Sequence, residues 1–356
     1  MPHKFVTLDA MRGIAAIAVL QFHTSEFFGG MFFRHGYLAV DFFFMLSGFV
    51  LTFAYQGKLD RGWSGSSFLS VRAIRLYPLY LLGLVLGLLL RISENRFGHV
   101  LHFVSPCHLA ILFALGLFLL PVPVQFAGVY PSSFPLNHPS WSLFYEILAN
   151  IGHALFIRRR SQGTLVGTIF VSGIALIYSA IHLGSVGFGV NRVQLVYGFS
   201  RVLFSYSMGI FLCRVWHTGK LRVKVSPVLC GLFFLLVLVG PRSISGQMIY
   251  DLLVTMVVFP VILLVSASSQ VHARLIAPFQ MLGTASYAIY VLHVPLASFY
   301  SRIWLRARGV ETSSDAPWPG LLFLALTIAL ALFIDRVYDL PVRAFLTKRF
   351  RTDRGF

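Results

Sequence analysis

Two ionisable side chains inside an otherwise apolar run are the first sign of chemistry in this sequence. In LDAMRGIAAIAVLQFHTSEFF, Arg12 and His23 stand eleven residues apart. At 100° per residue that spacing returns to within about 20° of its starting direction, so both lie on one face of a helix, separated by about 16.5 Å along its axis. Arg12 then falls near a membrane interface and His23 near mid-membrane. Glu26, three residues on, lies on nearly the same side and is placed to orient or charge-balance the imidazole. Ionisable groups at that depth are costly and usually mark a site or pathway. Taken alone, the pair also fits a structural role, with His23 bridging helices and Arg12 snorkelling to headgroups.

Further polar residues follow in apolar surroundings. GYLAVDFFFMLSGFVLTFAY carries Asp41, whose burial demands a partner, and His23 in the neighbouring run is the expected one. Ser47 and Gly48 in the same run fit close helix packing. In FLSVRAIRLYPLY, Arg72 and Arg75 share a helix face at a span's start. Two guanidiniums at a membrane mouth suit a phosphate-bearing ligand, and equally suit lipid headgroups. SWSLFYEI supplies Trp141, Ser142 and Glu146, and TASYAIYVLHVPL supplies Tyr287, Tyr290 and His293. The aromatic residues fit interfacial belts, whereas Glu146 and His293 sit deeper, as a polar interior would. Trp141, Glu146, Tyr287 and His293 form the expected substrate-binding set. Arg201 and Asp251 are further buried charges, read as a structural pair across helices.

These residues need a scaffold that holds them inside a bilayer, and the composition supplies it. Of 356 residues, 57% are apolar or aromatic and only 12% are charged, against roughly 25% charged in soluble domains. Mean hydropathy is +0.78. A soluble fold would expose this excess, so a soluble enzyme is excluded. The net charge of +17 is spread over short loops between apolar runs, which is a topology code and not a nucleic-acid face. Cys107, Cys213 and Cys230 form no metal or disulfide pattern, and no metal site is expected.

Apolar runs long enough to span begin near Gly13, Gly36, Tyr77, Cys107, Ser140, Thr164, Val193, Ser226, Met248, Met281 and Pro319. The first is no cleaved leader, because its core carries His23 and Glu26. The basic clusters Lys58/Arg61/Arg72/Arg75, Arg158/Arg159/Arg160, Arg214/Lys220/Arg222/Lys224 and Arg343/Lys348/Arg349/Arg351/Arg354 belong in the cytoplasm by the positive-inside rule. Cytoplasmic placement of both termini requires an even number of crossings. The expectation is therefore an all-α, multi-pass bundle of about ten spans, with eleven as the alternative. It forms one domain with a basic cytoplasmic tail from 342 to 356 and no room for an appended soluble domain.

Five segments, in this order, resemble acyltransferase family 3, the membrane proteins that O-acetylate bacterial surface polysaccharides. They are LDAMRGIAAIAVLQFH with its Arg-x10-His spacing, GYLAVDFFFMLSGFVL, FLSVRAIRLYPLY, WSLFYE and SYAIYVLHVPL, and the likeness runs from about Leu8 to the YDLP ending at Pro341. Glu146 stands alone where the family often has an acidic pair, and Asp339 replaces the more usual Glu. The resemblance implies an O-acyltransferase of the inner membrane that binds no resident cofactor. Its co-substrate is acyl-CoA, usually acetyl-CoA, and its acceptor is a surface glycan or lipid-linked saccharide. Arg12, Arg72 and Arg75 would hold the CoA phosphates. His23 would take the acceptor hydroxyl's proton or carry the acyl group itself, with Glu26 and Asp41 supporting its charged form. The alternative class is a transporter, flippase or export-complex component for lipid-linked saccharides, with buried charges lining a path and no covalent step.

Overall fold

Each of the eleven apolar runs contributes helix among the described residues. The computed structural model describes residues 5–97, 104–123, 132–155, 161–219, 225–241 and 246–352. The Arg158 to Arg160 triplet, Lys220, Arg222, Lys224 and Arg354 lie outside the described residues. Thirteen α-helices follow in order among the described residues: α1 (Val6–His23), α2 (Ala39–Asp60), α3 (Gly65–Phe97), α4 (Pro106–Leu117), α5 (Ser140–Leu155), α6 (Gln162–Leu183), α7 (Leu195–His217), α8 (Pro227–Val239), α9 (Gln247–Leu253), α10 (Phe259–Ser268), α11 (Ala273–Arg308), α12 (Trp318–Ile334) and α13 (Leu340–Thr352). Wide helical turns join α9 to α10 and α12 to α13. By length and composition, seven described helical segments can cross a membrane: Gly36–Asp60, Gly65–Arg96, Gln162–Leu183, Leu195–His217, Gln247–Ser268, Ala273–Arg308 and Trp318–Phe350.

Two helix pairs organise the interior. α1 lies along α11, and α2 lies along α7. The second pair approaches closely enough that a Cβ on Gly48 would overlap the Tyr206 carbonyl, and one on Gly209 would overlap that of Met45. Small residues that let backbones meet are how membrane helices gain dispersion contact where lipid competes for every apolar side chain. Gly57, in the same helix α2, faces open space. The two positions therefore respond oppositely to one substitution. Gly48→Ala forces the helices apart and destabilises the protein by about 1–3 kcal/mol, whereas Gly57→Ala is neutral or stabilising by up to about 1 kcal/mol through helix propensity. Thermal unfolding in detergent micelles reads both, and equal melting temperatures for the two variants would contradict the close crossing.

Buried charge fixes the same pair of helices. Arg201 of α7 and Asp41 of α2 form a two-pronged ion pair, Nη2 to Oδ2 at 2.6 Å and Nε to Oδ1 at 3.1 Å, with side chains 1% and 0% exposed. Arg201 also donates to the Phe188 carbonyl and stacks over Trp141, 5.3 Å from its ring centre. Asp41 is thus paired with Arg201 and not with His23 as its position in the chain had led us to expect. The pairing of Arg201 with Asp251 is likewise not found. Asp251 accepts instead from the Tyr37 hydroxyl at 2.7 Å, the Ser185 hydroxyl at 3.2 Å and the Val186 N–H at 3.1 Å, with His35 Nδ1 at 3.3 Å.

Helix α11 carries the structural irregularity that matters most for the site. Pro295 lies inside it and has no N–H to close on the Val291 carbonyl one turn back. The Asn137 side chain fills that vacancy, its Nδ2 donating to Val291 O at 3.1 Å. A proline in α11 thereby ties down the segment just before α5, including the neighbouring His138.

Candidate functional site

Arg12 and His23 do share a face of α1, and that face is turned to α11. The Arg12 guanidinium donates through Nε to the Ser286 hydroxyl at 2.9 Å and through Nη2 to the Gly283 carbonyl at 2.7 Å. At the other end of the helix, His23 Nδ1 lies 2.9 Å from His293 Nε2. His293 is fully buried, and its Nδ1 sits 2.9 Å from the Tyr290 carbonyl and 3.1 Å from that of Ile289. Carbonyl oxygens only accept, so the proton of neutral His293 is on Nδ1 and its Nε2 holds the lone pair. His23 must then donate through Nδ1, which leaves the lone pair of His23 on Nε2. Backbone carbonyls of α11 thus dictate, through one intervening ring, which nitrogen of His23 is basic. His138 completes the group, its ring edge-on to His23 with centroids 5.7 Å apart and its buried Nδ1 unpartnered.

The three arginines meet in a separate cavity of about 290 Å³, bounded by α1, α2, α3, α5 and α11. Its lining on α2 runs from Val40 to Tyr55, about 22 Å of helix. Arg72 is buried and paired with Glu146, Nη2 to Oε1 at 2.7 Å, and Ser47 donates to the same oxygen at 3.1 Å. Arg12 has Asp9 at 3.3 Å. Arg75 is exposed and bonds to no acid or carbonyl of the described residues. At the cavity's far end the Tyr290 hydroxyl meets the Ser142 hydroxyl at 2.6 Å. Tyr290 is one turn before His293 on α11, with ring centroids 6.2 Å apart.

The remaining expected site residues divide. Glu146 and Tyr287 line the arginine cavity, with the Tyr287 hydroxyl donating to the Leu76 carbonyl at 2.7 Å. Trp141 packs on Arg201 and supports that ion pair. Glu26 is not on α1. The helix stops at His23, and Glu26 lies exposed on a single tight turn, Ser25–Phe28, without a bond to the imidazole. His293 holds the place that Glu26 and Asp41 were expected to fill. Among the described residues no three His, Cys, Asp or Glu side chains are grouped to hold a metal ion.

Comparison with known proteins decides the family. Residues 5–336 match the acyltransferase domain of acyltransferase family 3. The chain belongs to that family. Among relatives, "Protein 2 in picA locus" of Rhizobium radiobacter is 38% identical over 191 residues, covering 50% of this chain and 96% of that protein. The O-acetyltransferase OatA of Staphylococcus aureus (strain NCTC 8325 / PS 47) is 22% identical over 384 aligned positions, covering 98% of this chain. The chain spans 60% of the staphylococcal protein's length. No solved structure matches.

As a member of acyltransferase family 3 the chain is a membrane acyltransferase, in keeping with the O-acyl transfer that its motifs imply. The acyltransferase motifs fall on both parts of the site: Arg-x10-His supplies one residue to each, the FLSVRAIRLYPLY segment supplies Arg72 and Arg75, and SYAIYVLHVPL supplies Ser286, Tyr290 and His293. His138, which lies in an irregular segment, and Ser286 as an Arg12 partner carry little signal in the sequence. The proline two residues after His293 was the available signal for the first, since the carbonyl it frees requires an outside donor.

Proposed function

We propose that this acyltransferase moves an acyl group, acetyl by expectation, from acyl-CoA to a hydroxyl of a surface or exported glycan. The observation that carries the proposal is the His23 ring. One nitrogen is committed to His293 and the other is left basic, on the same helix face as the arginine cavity. Arg75, with its donors unengaged among the described residues, and Arg12 and Arg72 beside it are suited to the phosphates of CoA. The pantetheine arm extends from them along α1 toward His23, with Tyr290 turning off Ser142 to let the thioester through. His23 Nε2 takes the proton of the acceptor hydroxyl as its oxygen attacks the thioester carbonyl. The C–S bond then breaks, and the proton passes to the departing sulfur. We place the protein in the inner membrane, crossing it ten times with both termini cytoplasmic, so that donor and acceptor approach from opposite sides. The staphylococcal O-acetyltransferase supports acetyl as the group.

Purified protein supplied with labelled acetyl-CoA and glycan is expected to release CoA and label the glycan in a His23-dependent way. Saccharide movement across vesicles without thioester consumption would favour the transporter reading. Arg75→Ala is expected to raise KM for the CoA ester about tenfold, the loss of one charge-assisted phosphate contact, with kcat little changed. An unchanged KM would remove Arg75 from the donor site.

A further inference from the structure

A second cavity of about 150 Å³ opens beside His23, lined on one side by His23, Thr24, Glu26 and Phe27 and on the other by Val294, Ala297, Ser298 and Ser301. It shares no lining residue with the arginine cavity. The four α11 residues recur at three- and four-residue steps, so they form one helix face, which begins directly after His293. The volume corresponds to about five water molecules, enough for one edge of a sugar ring but not for a CoA headgroup.

The hydrogen-bonding character of this cavity is one-sided. The Thr24 hydroxyl donates to the Leu20 carbonyl at 2.8 Å, Ser298 to Val294 O at 3.3 Å and Ser301 to Ser298 O at 3.2 Å. All three hydroxyl protons are therefore turned back onto their own helices, and only oxygen lone pairs remain for a ligand. His23 presents a lone pair on Nε2. The Glu26 carboxylate is exposed, accepts only, and has no hydrogen-bond or ion-pair partner among the described residues. Among the described residues no cationic side chain lines the cavity. A pocket built from acceptors around an unpaired carboxylate selects a ligand rich in donors and free of negative charge.

We propose that this cavity is the acceptor subsite, that it takes the hydroxyl-bearing edge of a neutral or amino sugar, and that Glu26 is its specificity-determining residue. Adjacent hydroxyls of the ring donate to the two oxygens of Glu26, and the hydroxyl next along faces His23. Ala297 and Phe27 pack against the ring's C–H face. Carboxylated and phosphorylated sugars are repelled by Glu26 and find no cation. The assignment rests on the acyl-transfer reading above.

The test uses the full-length protein in nanodiscs with acetyl-CoA, and as acceptors a neutral hexose oligosaccharide and its uronic-acid counterpart. The wild type is expected to favour the neutral acceptor at least about tenfold in kcat/KM. Glu26→Gln is expected to raise the neutral acceptor's KM about tenfold, the cost of hydrogen bonds to a charged group, without moving KM for the CoA ester. Glu26→Lys is expected to reverse the preference. Both changes are at an exposed position and leave folding intact. A wild type that prefers the uronate, or an acceptor KM that Glu26→Gln leaves unmoved while His23-dependent transfer proceeds, overturns the subsite alone. A wild type that transfers to neither sugar, nor to the corresponding amino sugar, overturns the subsite together with the acyl-transfer reading.

Discussion

Replacing His23 with alanine lowers acyl transfer by about three orders of magnitude, within the usual range for removal of a positioned general base, while the protein still inserts and remains monodisperse. The size of the effect follows from the hydrogen bonding of the ring. His23 Nδ1 is held by His293 at 2.9 Å, so a single ring nitrogen is left to take a proton, and an alanine leaves none. His23→Gln does not restore activity, because an amide can bond like the imidazole but cannot take a proton. The role of His293 separates from that of His23 by the same logic. His293→Gln keeps an acceptor oxygen near the position of Nε2, preserves the His23 tautomer and costs about tenfold. His293→Phe removes the acceptor that orients His23 Nδ1, leaving only the Val19 backbone beside the ring, and costs about a hundredfold. Initial rates of CoA release with each variant supply the measurement. Full activity in His23→Ala would overturn the assignment, and equal losses in the two His293 variants would show that His293 acts by packing and not by fixing the tautomer. Quenching with labelled donor in the absence of acceptor then distinguishes direct transfer, which leaves the protein unlabelled, from passage through an acyl-histidine.

What the sequence revealed of this site was the part governed by helix periodicity. Arg12 and His23 share a face because eleven residues make just over three full turns, and both find partners on α11. Arg72 and Arg75 fall in one cavity for the same reason. The structure departs from the sequence pattern where tertiary packing overrides chain neighbourhood. Asp41 follows His23 closely along the chain, yet α2 lies along α7, where Arg201 offers a charge-matched fork that His23 cannot. The α1 pattern, extended past His23, puts Glu26 on the same helix. The Thr24 hydroxyl instead bonds back to Leu20, the chain turns tightly through Ser25–Phe28, and Gly29 ends the turn in a left-handed conformation. The His23 to His293 contact joins residues 270 apart in the chain. No local spacing encodes it, and only the packing of α1 on α11 brings it about.

Breaking the Arg201 to Asp41 pair is the largest stability effect expected in the molecule. Arg201→Met leaves a carboxylate that is 0% exposed with no compensating cation, and removal of one partner from a buried pair costs about 3–5 kcal/mol. Asp41→Leu strands the guanidinium in the same way, though less severely, since Arg201 keeps its bond to the Phe188 carbonyl at 2.6 Å and its stacking on Trp141. Combining the two substitutions removes both charges, so the double variant is expected to recover stability relative to Arg201→Met. Recovery stays incomplete because the Phe188 carbonyl then loses its donor. Thermal unfolding of the four proteins in one detergent measures this cycle, and additive losses would show that the two side chains do not depend on each other. The same proteins bear on catalysis. Because Asp41 is spent on Arg201 and does not reach His23, the correctly folded fraction of each variant is expected to keep its activity per molecule. A collapse of activity in protein that remains fully folded would return Asp41 to the chemistry. Asp41 and Arg201 bear on the arginine cavity by holding α2 against α7, and with it the cavity wall that α2 supplies from Val40 to Tyr55.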